Sequence, residues 1–274
     1  MIDLHCHILP GIDDGAKSLA EAIAMCRAAA AAGCEVMVAT PHQRRGIWWN
    51  SDRKVLERLR QELAQSVAPE IRVLEGGEIH VDSELLDEVR RLGAGEEAGI
   101  FPLAGSRYLL LEFASTWNAQ MAADLVHELT VSGWRPVLAH PEFIPFLAED
   151  ESVVAHLVAL GALTQVTGMS VTGDFGRRAQ ANTHRLIETG LAHFVASDSH
   201  DLIRRPPGLA GAFEVIRERW GEELALRLTT ANPRAVLEDR PLPMPPPPPD
   251  PPARKSSLPG PLSLAGRLTG RPRP

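Results

Sequence analysis

The chain has 274 residues, 44% hydrophobic and 23% charged, which suits one large or two small soluble domains; at 5% aromatic the core must be mostly aliphatic. The formal net charge is −7, and because residues 241–274 carry five basic residues and one acid, residues 1–240 carry about −11. An acidic body excludes broad nucleic-acid affinity, which needs a basic footprint, and no apolar run approaches the ~18–20 residues of a membrane span.

Met1–His5 reads as a first strand, with no basic leader or apolar stretch of a signal peptide before it. Ser18 and Glu21 form a capping box, and the Ala-rich helix they open stops at Gly33. A second strand spans Glu35–Thr40, and Asp52 opens a charged helix to about Val67. Strand three (Ile71–Leu74), a helix at Ser83–Leu92, strand four (Arg107–Phe113) and a helix at Asn118–Ser132 follow. Then come strand five (Pro136–Ala139), a helix at Glu149–Leu160, strand six (Leu163–Thr167), a helix at Phe175–Thr189 and strand seven (His193–Ala196). Helices at Leu209–Arg219, Glu222–Thr229 and Pro233–Leu237 close the pattern. Several strands are apolar throughout, as parallel strands buried on both faces should be. The alternation predicts a parallel barrel or an open doubly wound sheet in a single domain, residues 1–240. Residues 241–274 hold 13 of the 23 prolines and cannot bury a core. They are expected to be a disordered tail with polyproline II character, a solvated extension or, alternatively, an SH3-type ligand. Cys6, Cys26 and Cys34 are too few to imply a disulfide framework, so a reducing cytoplasm is expected.

Ionisable residues collect where the strands end. Strand one runs into His5-Cys6-His7, strand two into Pro41-His42 and strand five into His140-Pro141. Glu78 lies just beyond strand three, Glu112 near the end of strand four, and Asp198 and His200 after strand seven. The C-terminal strand edge is where parallel α/β folds bind ligands, so these distant residues should converge on one rim. Alternate residues of an extended segment face the same side. His5 and His7 can therefore share an ion while Cys6 points away, and the same holds for Asp198 and His200. Imidazoles and carboxylates without thiolates suit Mn, Fe or Zn, and the surplus of ligands points to two or three ions. In Asp13-Asp14-Gly15 either acid is a further ligand candidate; the alternative is a turn that caps the next helix. His127, His156 and His184 fall in helical patterns and are expected on the surface. His193 begins a strand at the opposite edge, and His80 is set aside as a group that could support a ligand. Met25 and Met37 are expected in the core. Walker, G-x-S-x-G, C-x5-R, dinucleotide-binding and zinc-finger signatures are absent.

DLHCHILPGIDDG, ATPH, GGEIHVD, LLLEF, LAHPE and ASDSH, in that order, resemble PHP-domain proteins. The chain most resembles the PHP-type tyrosine-protein phosphatases of bacterial capsule and exopolysaccharide loci, the CpsB/CapC type, over roughly residues 1–238. The resemblance implies a distorted (β/α)7 TIM-like barrel and a trinuclear site. His5, His7 and Asp198 would hold the first ion, with Glu78 bridging to a second completed by Glu112 and His140. Asp14, His42 and His200 would hold the third. Manganese is the implied metal, with iron or zinc as alternatives. The implied reaction is hydrolysis of a phosphomonoester by metal-activated water, with proton assistance from His42 or His200 and phosphate binding by Arg205. The implied substrate is a phosphotyrosine protein, by analogy the tail of a bacterial tyrosine kinase; no nucleic-acid partner or membrane insertion is expected, and a homo-oligomer is compatible. Phe143 stands where relatives carry an arginine that helps hold phosphate, and Gly77 where they carry glutamine. Arg44 and Arg45 are further phosphate candidates, against a solvated loop. The alternatives are a histidinol-phosphatase-like enzyme, disfavoured by Glu112 and Asp14 where it has histidines; a PHP exonuclease, disfavoured by the acidic body; and a non-catalytic metal-binding regulatory protein.

Overall fold

The computed structural model describes residues 1–243, and the rest of the Pro-rich tail lies outside the described residues. Strands and helices alternate along the described chain. The first half contains β1 (Ile2–Cys6), α1 (Leu19–Ala31), β2 (Val36–Ala39), β3 (His42–Gln43), α2 (Arg53–Val67), β4 (Arg72–Glu75), β5 (Glu78–His80) and α3 (Leu85–Gly93). The second contains β6 (Tyr108–Glu112), α4 (Ala119–Val131), β7 (Arg135–Ala139), α5 (Pro145–Ala148), α6 (Glu151–Ala159), β8 (Leu163–Thr167), α7 (Gly168–Thr172), α8 (Arg177–Glu188) and β9 (Phe194–Ala196). Helices α9 (Ala210–Trp220), α10 (Glu222–Leu226) and α11 (Asn232–Leu237) follow, the last two joined by a π turn at Arg227–Ala231.

Local chemistry sets the helix starts. The side chains of Ser18, Asp52, Asn118 and Asp150 accept from backbone N–H groups of the first turns of α1, α2, α4 and α6. Those donors have no partner within the helix, so each cap fixes where it begins.

Every strand pair is parallel. One sheet has the order β1-β2-β4 and the other β3-β5-β6-β7-β8-β9. The two sheets are one surface with a break. β2 and β3 are one strand interrupted at Thr40-Pro41, and β4 and β5 are one strand interrupted at Gly76-Gly77. The other seam closes through a bridge between Cys6 and Ser199, with His7 N donating to Ser199 O (2.9 Å) and Asp198 N to His5 O (2.8 Å). The result is the expected distorted seven-stranded barrel. β3 and β5 are too short and too broken to show in the sequence pattern; proline removes a ladder donor and glycine weakens a strand.

The core is layered as barrel closure requires. Ile2, Leu4, Val36, Val38, Tyr108, Leu110, Val137 and Phe194 fill the interior. The alternate residues Leu109, Leu111, Leu138 and Val195 face the helices. Met25 and Met37 are fully buried between sheet and helices. One expectation fails. His184 is buried, with Nε2 2.9 Å from Val171 O and Nδ1 2.9 Å from Arg219 Nη1, and its ring meets Trp220 edge-on. The helical pattern hid this because α9 returns over α8. His127 and His156 are exposed as expected.

Candidate metal centre

The C-terminal ends of the strands gather the expected side chains. β1 carries an irregularity: its pairing with β2 slips by one residue between Asp3 and Cys6. Such a bulge re-aims side chains. Ile2 and Leu4 fill the barrel, while His5 and His7, of the opposite parity, reach the rim. Cys6 turns away, its Sγ 3.1 Å from Val38 O. His140 and Asp198, just past β7 and β9, have φ of 34° and 52°. Left-handed backbone at non-glycine residues is strained by ~1–3 kcal/mol and persists where the surroundings enforce it. Here His140 N is fixed to Gln165 O (2.8 Å) and Asp198 N to His5 O (2.8 Å).

His5 Nε2 lies 3.2 Å from His7 Nε2, 3.3 Å from Asp198 Oδ1 and 3.4 Å from Glu78 Oε1. Asp14 Oδ1 lies 3.3 Å from Nε2 of both His42 and His200. Glu78 is central: Oε1 is 2.9 Å from His140 Nε2, and Oε2 is 2.7 Å from His42 Nδ1. Three groupings bring their ligand atoms within 4.8 Å of one another: His5, His7 and Asp198; His7, Asp14, His42 and His200; and His42, Glu78 and Glu112. Glu112 thus groups with His42 rather than with His140, which reaches the cluster through Glu78. Glu78 Oε2 and His140 Nδ1 are buried without hydrogen-bond partners among the described residues. Buried unpaired acceptors are costly, and a cation is what these donor atoms fit.

Burial opposes charge on these groups, and for all but His200 their neighbours outweigh it. The imidazoles of His5, His140 and His42 hold the Glu78 carboxyl well below the usual range. His5 and His7 do the same for Asp198, and His200 and His42 for Asp14. Burial also disfavours the His7 cation, yet Asp13, Asp198 and Glu78 raise it well above the ordinary value. Glu78 pushes His140 up to about 9 against its burial. His200 is lowered by burial, with His7 adding to it. The carboxylates are therefore ready ligands, and protons shared by the histidines must leave when an ion binds.

Several residues support the ligands; the sequence had singled out Asp13 and His80 among them and missed Gln165 and Glu142. Asp13 Oδ2 receives His7 Nδ1 at 2.9 Å and His42 N at 3.1 Å, so it stands behind the histidines while Asp14 faces them. Gln165 Oε1 lies 2.8 Å from His5 Nδ1. His80 Nδ1 lies 3.2 Å from Glu112 Oε2. Glu142 is buried and accepts from Thr167 N (2.8 Å). Gln165 was missed because a polar residue within a strand does not announce which ring it orients. Beside the cluster lies a cavity of about 270 Å³ whose lining includes Arg45, Phe143, Phe175 and Arg205. Arg205 Nη2 donates to Asp198 Oδ2, and Arg205 Nε is buried without a partner among the described residues. Phe143 and Phe175 meet edge to face at 5.4 Å.

Fold and rim together define a parallel α/β barrel whose rim is suited to hold divalent cations, beside a cavity lined by arginines and phenylalanines. The family described as "Capsular polysaccharide synthesis, CpsB/CapC" matches residues 1–238, and the chain belongs to that family. It is 36% identical to the tyrosine-protein phosphatase YwqE of Bacillus subtilis over 232 residues, 84% of this chain and 89% of that protein. It is 31% identical to the tyrosine-protein phosphatase CpsB of Streptococcus pneumoniae over 247 residues, 88% of this chain and 99% of that protein. A chain from the crystal structures of YwqE and CpsB, described as unique metal-dependent tyrosine phosphatases, superposes with a TM-score of 0.80 at 36% identity, covering 88% of this chain and 96% of that one. Dihydropyrimidinase from Brevibacillus agri shares the fold alone, with a TM-score of 0.51 at 10% identity over 87% of this chain and 70% of that one.

Proposed function

We propose that this protein is a metal-dependent protein-tyrosine phosphatase whose ions are held by His5, His7, Asp14, His42, Glu78, Glu112, His140, Asp198 and His200. The observation that carries the reading is the convergence of buried imidazoles and carboxylates on one rim beside an arginine, in a chain similar over most of its length to tyrosine-protein phosphatases. Divalent ions, when bound, lower the pKa of water towards neutrality and offset charge on phosphoryl oxygens. Arg205 lines the cavity and brings its guanidinium to the phosphate. Phe143 and Phe175 form an apolar wall for the ring of a phosphotyrosine. A phenol leaves with a pKa of ~10, so it needs no strong acid, and proton assistance by His42 or His200 is secondary to their role as ligands.

The finer reading is two to three manganese ions and, as substrate, the phosphotyrosine tail of a bacterial kinase in capsule or exopolysaccharide regulation. A cytoplasmic site of action fits three buried free thiols at Cys6, Cys26 and Cys34. Among the described residues no helix is long and apolar enough to cross a membrane.

The test pairs elemental analysis with hydrolysis of a phosphotyrosine peptide across Mn, Fe, Zn and Mg. His5→Ala and Asp198→Ala should each lower turnover more than roughly 100-fold, beyond what loss of a ligand's supporting partner costs. Undiminished activity in either variant refutes the site.

A further inference from the structure

After β3 the chain turns back on itself at once. Arg45 N donates to Trp48 O (3.2 Å) and Trp48 N to Arg45 O (2.8 Å), around a turn in which Gly46 has φ 54°. Tight hairpin turns need this backbone, and glycine supplies it without strain. The base of the hairpin is fixed. Arg44 is buried, donates to Asp82 Oδ2 (2.8 Å from Nε) and pairs with Glu84 (3.3 Å), and its guanidinium lies 4.8 Å over the Trp49 ring. Asn50 Nδ2 donates to His42 O (2.8 Å) and Ile12 O (3.1 Å). Arg44 is therefore an anchor, not a free phosphate ligand. Arg45 differs. Its side chain is 40% exposed and lines the cavity, with Nη1 2.7 Å from His42 Nε2 and 3.1 Å from Glu112 Oε1. Trp48, across the turn, stacks on the His42 ring at 5.3 Å and 13°.

These contacts compete with metal binding. An imidazole nitrogen has one lone pair, so His42 Nε2 can accept a guanidinium N–H or ligate a cation, but not both. A cation held by His42, Glu78 and Glu112 would also repel the guanidinium. The anchored hairpin keeps the Arg45 backbone in place, so a released side chain remains at the cavity. Arg205 lines the same cavity at its Asp198 and His200 end, while Arg45 sits at its His42 and Glu112 end. Phe143 and Phe175 bring no charge to the remaining wall. A planar guanidinium fork matches two phosphate oxygens at once.

We infer that Arg45 is a phosphate-binding residue that, with divalent ions on His42 and Glu112, pairs with Arg205 around the phosphoryl group. The inference rests on the phosphatase reading and deepens it.

The test uses the full chain stripped of metal, as wild type, Arg45→Ala and Arg45→Lys. Manganese is titrated calorimetrically into each, and inorganic phosphate into each loaded protein. Arg45→Ala should bind manganese at least as tightly as wild type, because a competitor for His42 is gone. Its phosphate affinity should fall roughly tenfold or more, and lysine should restore part of it. Phosphate affinity within about twofold of wild type overturns the inference. So does weakened manganese binding with normal phosphate affinity, which marks Arg45 as a brace for Glu112. Phosphotyrosine-peptide turnover by the loaded wild type separates the two levels. Turnover with phosphate binding indifferent to Arg45 sinks the role of the arginine alone; no turnover sinks the phosphatase reading with it.

Discussion

At the scale of residues, His7 shows how the rim is prepared before chemistry begins. Asp13 fixes its Nδ1 and leaves Nε2 towards His5. Gly15 N in turn donates to Asp13 Oδ1 (3.0 Å), and a Cβ on Gly15 would lie 2.0 Å from His7 O. The loop therefore needs glycine there because the backbones touch. A carboxylate behind a ligating imidazole sets its tautomer and basicity. Asp13→Ala should weaken manganese affinity about 10–100-fold with the fold intact, read by metal titration beside circular dichroism; unchanged affinity would show that Asp13 is only a turn residue. The residues alone left the two acids undecided because both are good turn formers, and the family resemblance chose Asp14. The folded loop shows why, with Asp13 behind His7 and Asp14 beside His42 and His200. Likewise Arg44 and Arg45 look alike in sequence, and the hairpin alone sends one under Trp49 and the other into the cavity.

At the scale of elements, the broken strands make the centre. The interruptions at Pro41 and Gly76-Gly77 let β3 and β5 place His42 beside Glu78, which pair directly in register. The junction is tightly filled. A Cβ on Gly77 would lie 1.9 Å from Gln43 Oε1, the atom that accepts from Phe101 N (3.0 Å), while Gln43 Nε2 donates to Asn50 O (2.9 Å). The Gln43 side chain fills the space that a larger residue at position 77 would need. Gly77→Ala should destabilise the protein by ~1–3 kcal/mol, and Gln43→Ala should relieve part of that cost in the double variant. Additive losses in urea unfolding would contradict the contact. Capped helices and long apolar strands were legible because their signals are local. Strands β3 and β5, the α5 turn and the π turn were not, since distant packing specifies them.

At the scale of the whole molecule, the barrel closes where β9 meets β1, and His193 sits at the start of that strand, far from the rim chemistry. Burial, helped by Arg227, lowers its pKa to about 4. The unfolded chain takes up a proton near pH 6.5 and the folded chain does not. Stability from this group is complete above about pH 6.5 and falls as the pH drops towards 4, by on the order of 3 kcal/mol at ~1.36 kcal/mol per unit. His193→Gln should flatten that part of the stability–pH curve; an unchanged slope would exclude the effect. The formal charge of −7 sets the other global constraint, because an anionic substrate must be drawn to an acidic protein. Bound cations at the rim reverse the local sign. The central claim is therefore tested most directly by following phosphate release from a phosphotyrosine peptide as chelator-stripped protein is titrated with manganese. The account predicts no turnover without metal and a rise that saturates once two to three equivalents are bound per chain. Full turnover by metal-free protein, or none at saturation, would contradict it.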